Sequence, residues 1–242
     1  MALGGQGRYA QARAELDTVR RSAASPAVAS LAASTQASLL RQLGSHALAA
    51  GHDGAALALV GTDPANDPGG DPLDAALWHE ARCDALTGLA ADALGCGRLP
   101  LGRRLLERCD AYLDEVGDDA ALWRQRVRLH WVTAEIALAS GDFATATTHA
   151  QAAVDRSADG PSVRHRVKSA LLFAAAATGR PESDLALETA ERVEAESATH
   201  GLVPLRWAAA MLIDGVRPSA AARAVRDECA AAIAHRGGKF AK

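Results

Sequence analysis

A glycine, an aromatic two residues on, an alanine five on and a small residue twelve on recur in this chain. Gly141, Phe143, Ala146 and Ala153 repeat the spacing of Gly7, Tyr9, Ala12 and Val19, the latter with Leu16 between, and weaker copies start near Gly51, Gly97 and Gly215. Repetition at this spacing marks stacked helix pairs, because one pair cannot bury its apolar face alone and its neighbours complete the core. The expected fold is therefore all-α, built from antiparallel helix pairs in one continuous stack over residues 1–236, with residues 237–242 as a flexible tail.

Composition agrees with close helix packing. Alanine makes up roughly a quarter of the chain and aromatics only 4%, which suits helices that approach through small side chains. The net charge of −3 gives no global reason to expect nucleic acid or an acidic membrane surface as partner. Basic residues are almost all Arg, with Lys only at 168, 239 and 242, which together with the alanine excess suits a GC-rich, bacterial coding sequence. No apolar run reaches the length of a membrane span, and the stretch from Met1 to Gly7 lacks a basic segment followed by an apolar run. Cys83, Cys96, Cys109 and Cys229 are widely spaced, without a Cys-x-x-Cys pair, so free buried thiols and a cytoplasmic location are expected.

Glycines at 7, 51, 97, 141, 179 and 215 read as the turns between paired helices, at steps of 44, 46, 44, 38 and 36 residues. Apolar spacing places a helix over 9–21, with too little chain before Gly7 for a full partner; either the chain begins late in the repeat or the stack opens on an unpaired helix. Further helices are expected over 30–50, 55–60, 72–94, 101–116, 120–139, 142–155, 162–178, 182–197, 204–214 and 219–235, with Asp118 and Asp119 as a cap. The Asp- and Pro-rich stretch from Gly61 to Asp74 reads as a stiff inter-repeat loop.

The tracts GRYAQARAELDTV from Gly7 and SGDFATATTHAQAAV from Ser140 resemble the tetratricopeptide repeat at its inter-helix turn and second helix. Leu43, Gly44 and Ala47, and Leu89, Ala90 and Ala93, are similar to the small-residue contacts of that family's first helix, and the steps exceed its period of about 34 residues. The resemblance covers most of the chain in degenerate form, the turn aromatic being kept only after Gly7 and Gly141. It implies a right-handed superhelix whose first helices line a concave groove, where a protein segment or peptide binds. Arg41 and Ser45 stand where the family's carboxylate-clamp members use Lys and Asn, and the single Asn, Asn66, lies in the loop, so chaperone-tail recognition is not expected.

Arg124, Arg128, Trp131 and Glu135 share one helical face. Arg forks grip carboxylates and a flat indole covers a side chain, so this face is a candidate hot spot for a partner with acidic groups. Arg166 and Ser169 hold the matching face of the next first helix, and Arg41 with Ser45 that of an earlier one. The competing expectation packs Trp131 between repeats and pairs Arg128 with Glu135 or a neighbouring helix.

His79 and Cys83 fall four apart on one helix but lack a third ligand, so no metal is expected. Gly4-Gly5-Gln6-Gly7 and Gly95-Cys96-Gly97 follow no strand, so they read as helix turns and not as phosphate loops. No nucleophile elbow or paired acids stand out, so neither an enzyme nor a cofactor is expected. The expected function is a scaffold or adaptor that presents a groove to a protein or peptide. The alternative is a ligand-sensing regulatory domain, similar to the helical-repeat regions of large bacterial transcription activators. A homodimer is expected through the N-terminal end, where the helix over 9–19 has an apolar side to cover.

Overall fold

The computed structural model describes residues 2–63, 72–117, 120–179 and 184–241. Every regular element among them is helical: α1 (Ala2–Gly5), α2 (Tyr9–Ser22), α3 (Pro26–Arg41), α4 (His46–Val60), α5 (Pro72–Gly95), α6 (Leu99–Val116), a short 3-10 turn (Ala120–Leu122), α7 (Trp123–Ala139), α8 (Phe143–Ser157), α9 (Val163–Ala177), α10 (Asp184–Thr199), α11 (Val203–Val216) and α12 (Ala220–His235). The expected cap at Asp118 and Asp119, Asn66 with most of its loop, and the first residues of the helix expected over 182–197 lie outside the described residues.

The chain, expected as one stack, divides into two compact units: Arg13–Val132 with Phe240–Lys242, and Met1–Ala12 with Thr133–Lys239. In the first, α3, α4, α5 and α6 pack in chain order, and α5 also lies against α3. In the second, α8 to α12 pack in chain order. Glycines in the left-handed region close the turns at Gly7, Gly97 and Gly141, with φ of 72°, 72° and 73°, a conformation that disfavours any residue with a Cβ.

Two turns differ from expectation. Gly51 and Gly54 lie inside α4, and the turn falls earlier, at Gly44 (φ 81°), whose N–H donates to the Arg41 carbonyl. Each glycine inside a helix costs about 1 kcal/mol, but Ala49 and Ala56 of α4 are fully buried, and that packing holds the helix through both. Gly215 likewise sits within α11, and the chain turns after it, where Arg217 is extended and Ser219 caps α12 by accepting from the Ala222 N–H. The helix expected from residue 30 begins earlier, at Pro26, which opens α3 behind the Ser25 cap.

At the N-terminal end, Tyr9 is fully buried and packs against Gly238, while Val19 at the far end of α2 is 40% exposed. The Ala10 N–H donates to the Arg236 carbonyl. In the expected tail, the Ala241 N–H donates to the Leu43 carbonyl at 2.7 Å. No helix among the described residues is long and apolar enough to cross a membrane.

Candidate functional site

Helix α5 carries its polar residues inward. Arg82, Asp84, Thr87 and Asp92 are all buried, although burying an ionised side chain costs several kcal/mol unless partners surround it. Each has partners on a neighbouring helix. Arg82 donates to the Val60 and Gly61 carbonyls at the end of α4 and to the Tyr112 hydroxyl of α6, and its guanidinium also lies over the Tyr112 ring. It thereby occupies carbonyls that a helix C-terminus leaves unpaired.

The densest cluster joins α3, α4 and α5. Arg41 Nη1 donates to Asp53 Oδ2 at 2.9 Å, to Asp92 Oδ1 at 2.6 Å and to the Gly88 carbonyl at 3.0 Å. His46 Nδ1 is 3.7 Å from Asp92 Oδ1, too far for a hydrogen bond. Asp53 Oδ1, Asp92 Oδ2 and His46 Nδ1 are buried without a hydrogen-bond partner. Burial raises Asp53 to about 7; Arg41 works against this, and the charge of Asp92 adds to it. The Ser34 hydroxyl stands close enough to favour the Asp53 anion slightly, yet forms no well-aligned hydrogen bond.

Glycines on α5 make this cluster fit. A methyl group at Gly88 would overlap the Asp53 carboxylate, and one at Gly95 would overlap the His46 ring. Gly88 and Gly95 lie seven apart on α5, as do His46 and Asp53 on the antiparallel α4, so both polar side chains rest on bare backbone with Asp92 between them. Gly88→Ala is expected to cost about 3 kcal/mol, as overpacking does. Much of that loss should vanish in the Asp53→Ala background, and urea unfolding of the four proteins in a double-mutant cycle measures the coupling.

A second group links α5 to α7. Arg128 Nη1 lies 2.5 Å from Asp84 Oδ1, the Gln125 amide donates to the same oxygen at 3.4 Å, and Arg124 lies 3.4 Å from Glu80. Burial raises the Glu80 pKa, and Asp84 adds to this against Arg124. Trp131 is only 3% exposed. Arg128 thus pairs with a neighbouring helix and not with Glu135, which lies 3.2 Å from Lys168.

The other expected residues are placed as follows. Arg166 donates to the Gly160 carbonyl, and Ser169 is buried and accepts from the Ser157 hydroxyl. Ser45 precedes α4 without capping it. His79 meets the Tyr112 hydroxyl, and Cys83 is buried beside Cys109. No three His, Cys, Asp or Glu side chains among the described residues are grouped to hold a metal ion.

Sequence reasoning missed Asp53, Glu80, Asp84, Asp92 and Gln125. Asp84, Gly88 and Asp92, at steps of four inside a run of Ala and Leu, were the available signal: acids on one face of an otherwise apolar helix need a buried cation opposite.

One open groove lies between α8 and α9, in the unit containing Thr133–Lys239. It has a volume of about 550 Å³ and is lined by Phe143, Thr147, Thr148, Gln151 and Phe173. Phe143 rests on the backbone of Gly179 yet stays 39% exposed. The Thr147 and Thr148 hydroxyls donate to carbonyls one turn back, and the Gln151 amide donates to Asp155. The surface of the groove is mostly apolar, with the Thr oxygens and the Gln151 amide oxygen as its polar minority. No family model, curated protein or solved structure matches the chain.

Proposed function

We propose that this chain is a tetratricopeptide-like interaction module, a scaffold or adaptor that holds a segment of a partner protein on its helical surface. The supporting observation is the groove between α8 and α9, where Phe143, the turn aromatic of the repeat signature, is left 39% exposed beside Phe173. Exposed aromatics in a concave site are the usual anchors of protein recognition. Of the arginines that suggested an acidic partner, Arg41, Arg124 and Arg128 face carboxylates of neighbouring helices and Arg166 donates to the Gly160 carbonyl, whereas the groove presents mostly apolar surface with its hydroxyls donating to the helix backbone. An apolar side chain of a peptide suits it.

Panning a random peptide library against the protein tests this reading. Enriched sequences should share one bulky apolar residue and lose at least about tenfold in affinity to Phe143→Asp with helicity unchanged, a loss typical of an anchor contact. No enrichment, or equal binding by the variant, sinks the proposal. The groove volume also falls within the range of small-molecule pockets, which favours ligand sensing as a second reading. It ranks lower because the groove is open and holds no charged side chain in its lining to fix a small ligand.

A further inference from the structure

Helix α6 has its charges the wrong way round for a solitary helix. Its first turn holds no acidic residue and its last turn no basic one, although a helix dipole favours acids at the N-terminus and bases at the C-terminus. Arg98, Arg103, Arg104 and Arg108 crowd the beginning, Asp110, Asp114 and Glu115 the end, and all seven are exposed. With Glu107 counted in the first half, the two halves carry opposite and equal formal charge.

The buried stripe of α6, Gly102, Leu106, Cys109 and Leu113, is spent on the core. Arg98, Arg104, Glu107, Arg108, Asp110 and Glu115 form no ion pair among the described residues, and Asp114 makes only a 3.8 Å contact with Arg126. Exposed Leu101 adds an apolar edge at the basic end.

A surface with a basic half and an acidic half along one axis is complementary to itself when turned end for end. A two-fold axis beside Glu107 and Arg108 lays the basic end of one copy along the acidic end of the other, with Arg104 on the same side as Glu115. It also brings each helix N-terminus to acidic side chains and each C-terminus to basic ones, removing the mismatch the single helix suffers. From these features we infer that the chain forms a two-fold homodimer through antiparallel α6 helices. An isologous interface has this self-complementary form.

The size of the contact sets its strength. Eighteen residues span about 27 Å, less surface than a permanent dimer uses, and exposed ion pairs contribute little each and are screened by salt. The dimer is therefore weak, with a dissociation constant of roughly 10–100 μM at low ionic strength.

Sedimentation equilibrium tests this with two charge variants, an acidic one (R104E/R108E) and a basic one (D110R/E115R), whose sites are all exposed and whose helicity is checked by circular dichroism. Wild type should self-associate at about 20 mM salt and weaken at least tenfold by about 300 mM. Each variant alone should be monomeric, and an equimolar mixture should form a heterodimer tighter than wild type. The inference is overturned by a monomeric wild type at about 100 μM, by either variant dimerising as wild type does, or by a mixture that stays monomeric.

Discussion

Arg41→Ala is expected to cost about 3–5 kcal/mol of folding stability, the loss typical when one partner of a buried ion pair is removed. Arg41 is one of the exposed-looking arginines on which a partner site was expected, and only 13% of its side chain is accessible. A single nitrogen, Nη1, holds Asp53, Asp92 and the Gly88 carbonyl. Without it, two carboxylates remain against each other at the α4–α5 seam, and water reaches neither freely.

Arg41→Lys should recover only part of the loss. An ammonium keeps the charge but not the planar fork, and its compact head is more strongly hydrated than a guanidinium. Urea unfolding followed by circular dichroism gives the three stabilities. A loss below about 1 kcal/mol for Arg41→Ala would be that of a solvent-exposed pair and would contradict the burial of this cluster. Comparing peptide affinity of the same variants separates a structural role from a binding one: the groove at Phe143 is built from α8 and α9, so its affinity should not change.

Most helix boundaries were legible because local chemistry decides them. Asp142 caps α8 by accepting from the Thr145 N–H, and Gly141 supplies the left-handed turn before it. The α3–α4 turn was not legible. Glycines stand at 44, 51 and 54, and each permits a turn; the choice is made by burial of Ala49, Asp53 and Ala56, which a repeat spacing does not report. Gly215 misled in the same way, since a helix supported along its length by neighbours tolerates a glycine near its end.

The candidate site divides along the same line. Spacing puts Arg124, Arg128, Trp131 and Glu135 on one helical face, but a face has no label saying whether it looks outward. Asp84 lies on α5, far from Arg128 in sequence, and 3.6-residue periodicity relates only residues of one helix. The carboxylates were hidden because an Asp inside an alanine-rich helix resembles ordinary surface polarity until the opposing Arg is placed. Phe143, in contrast, was singled out as a repeat signature and is the residue that the groove leaves exposed.

Asp53→Asn should remove a pH dependence that wild type shows between about pH 4 and 7. In the unfolded chain Asp53 ionises near its ordinary value of 3.8, whereas in the fold burial holds it to about 7. The folded state therefore keeps a proton that the unfolded state has released, and the contribution of Asp53 to stability is fully present below pH 4 and declines as pH rises to 7. The full span corresponds to on the order of 4 kcal/mol. Burial and charge explain the direction: the site is shielded from water, and Arg41 supplies one positive charge against two neighbouring carboxylates. A proton on Asp53 removes one of these negative charges, and asparagine mimics that protonated form. The difference in unfolding free energy between wild type and Asp53→Asn, measured across this range, should shift steadily in favour of the variant as pH rises. Subtracting the two curves cancels the carboxylates remote from this cluster, which they share. A flat difference, or one of opposite sign, would mean that Arg41 and the surrounding dipoles hold Asp53 as the anion against burial.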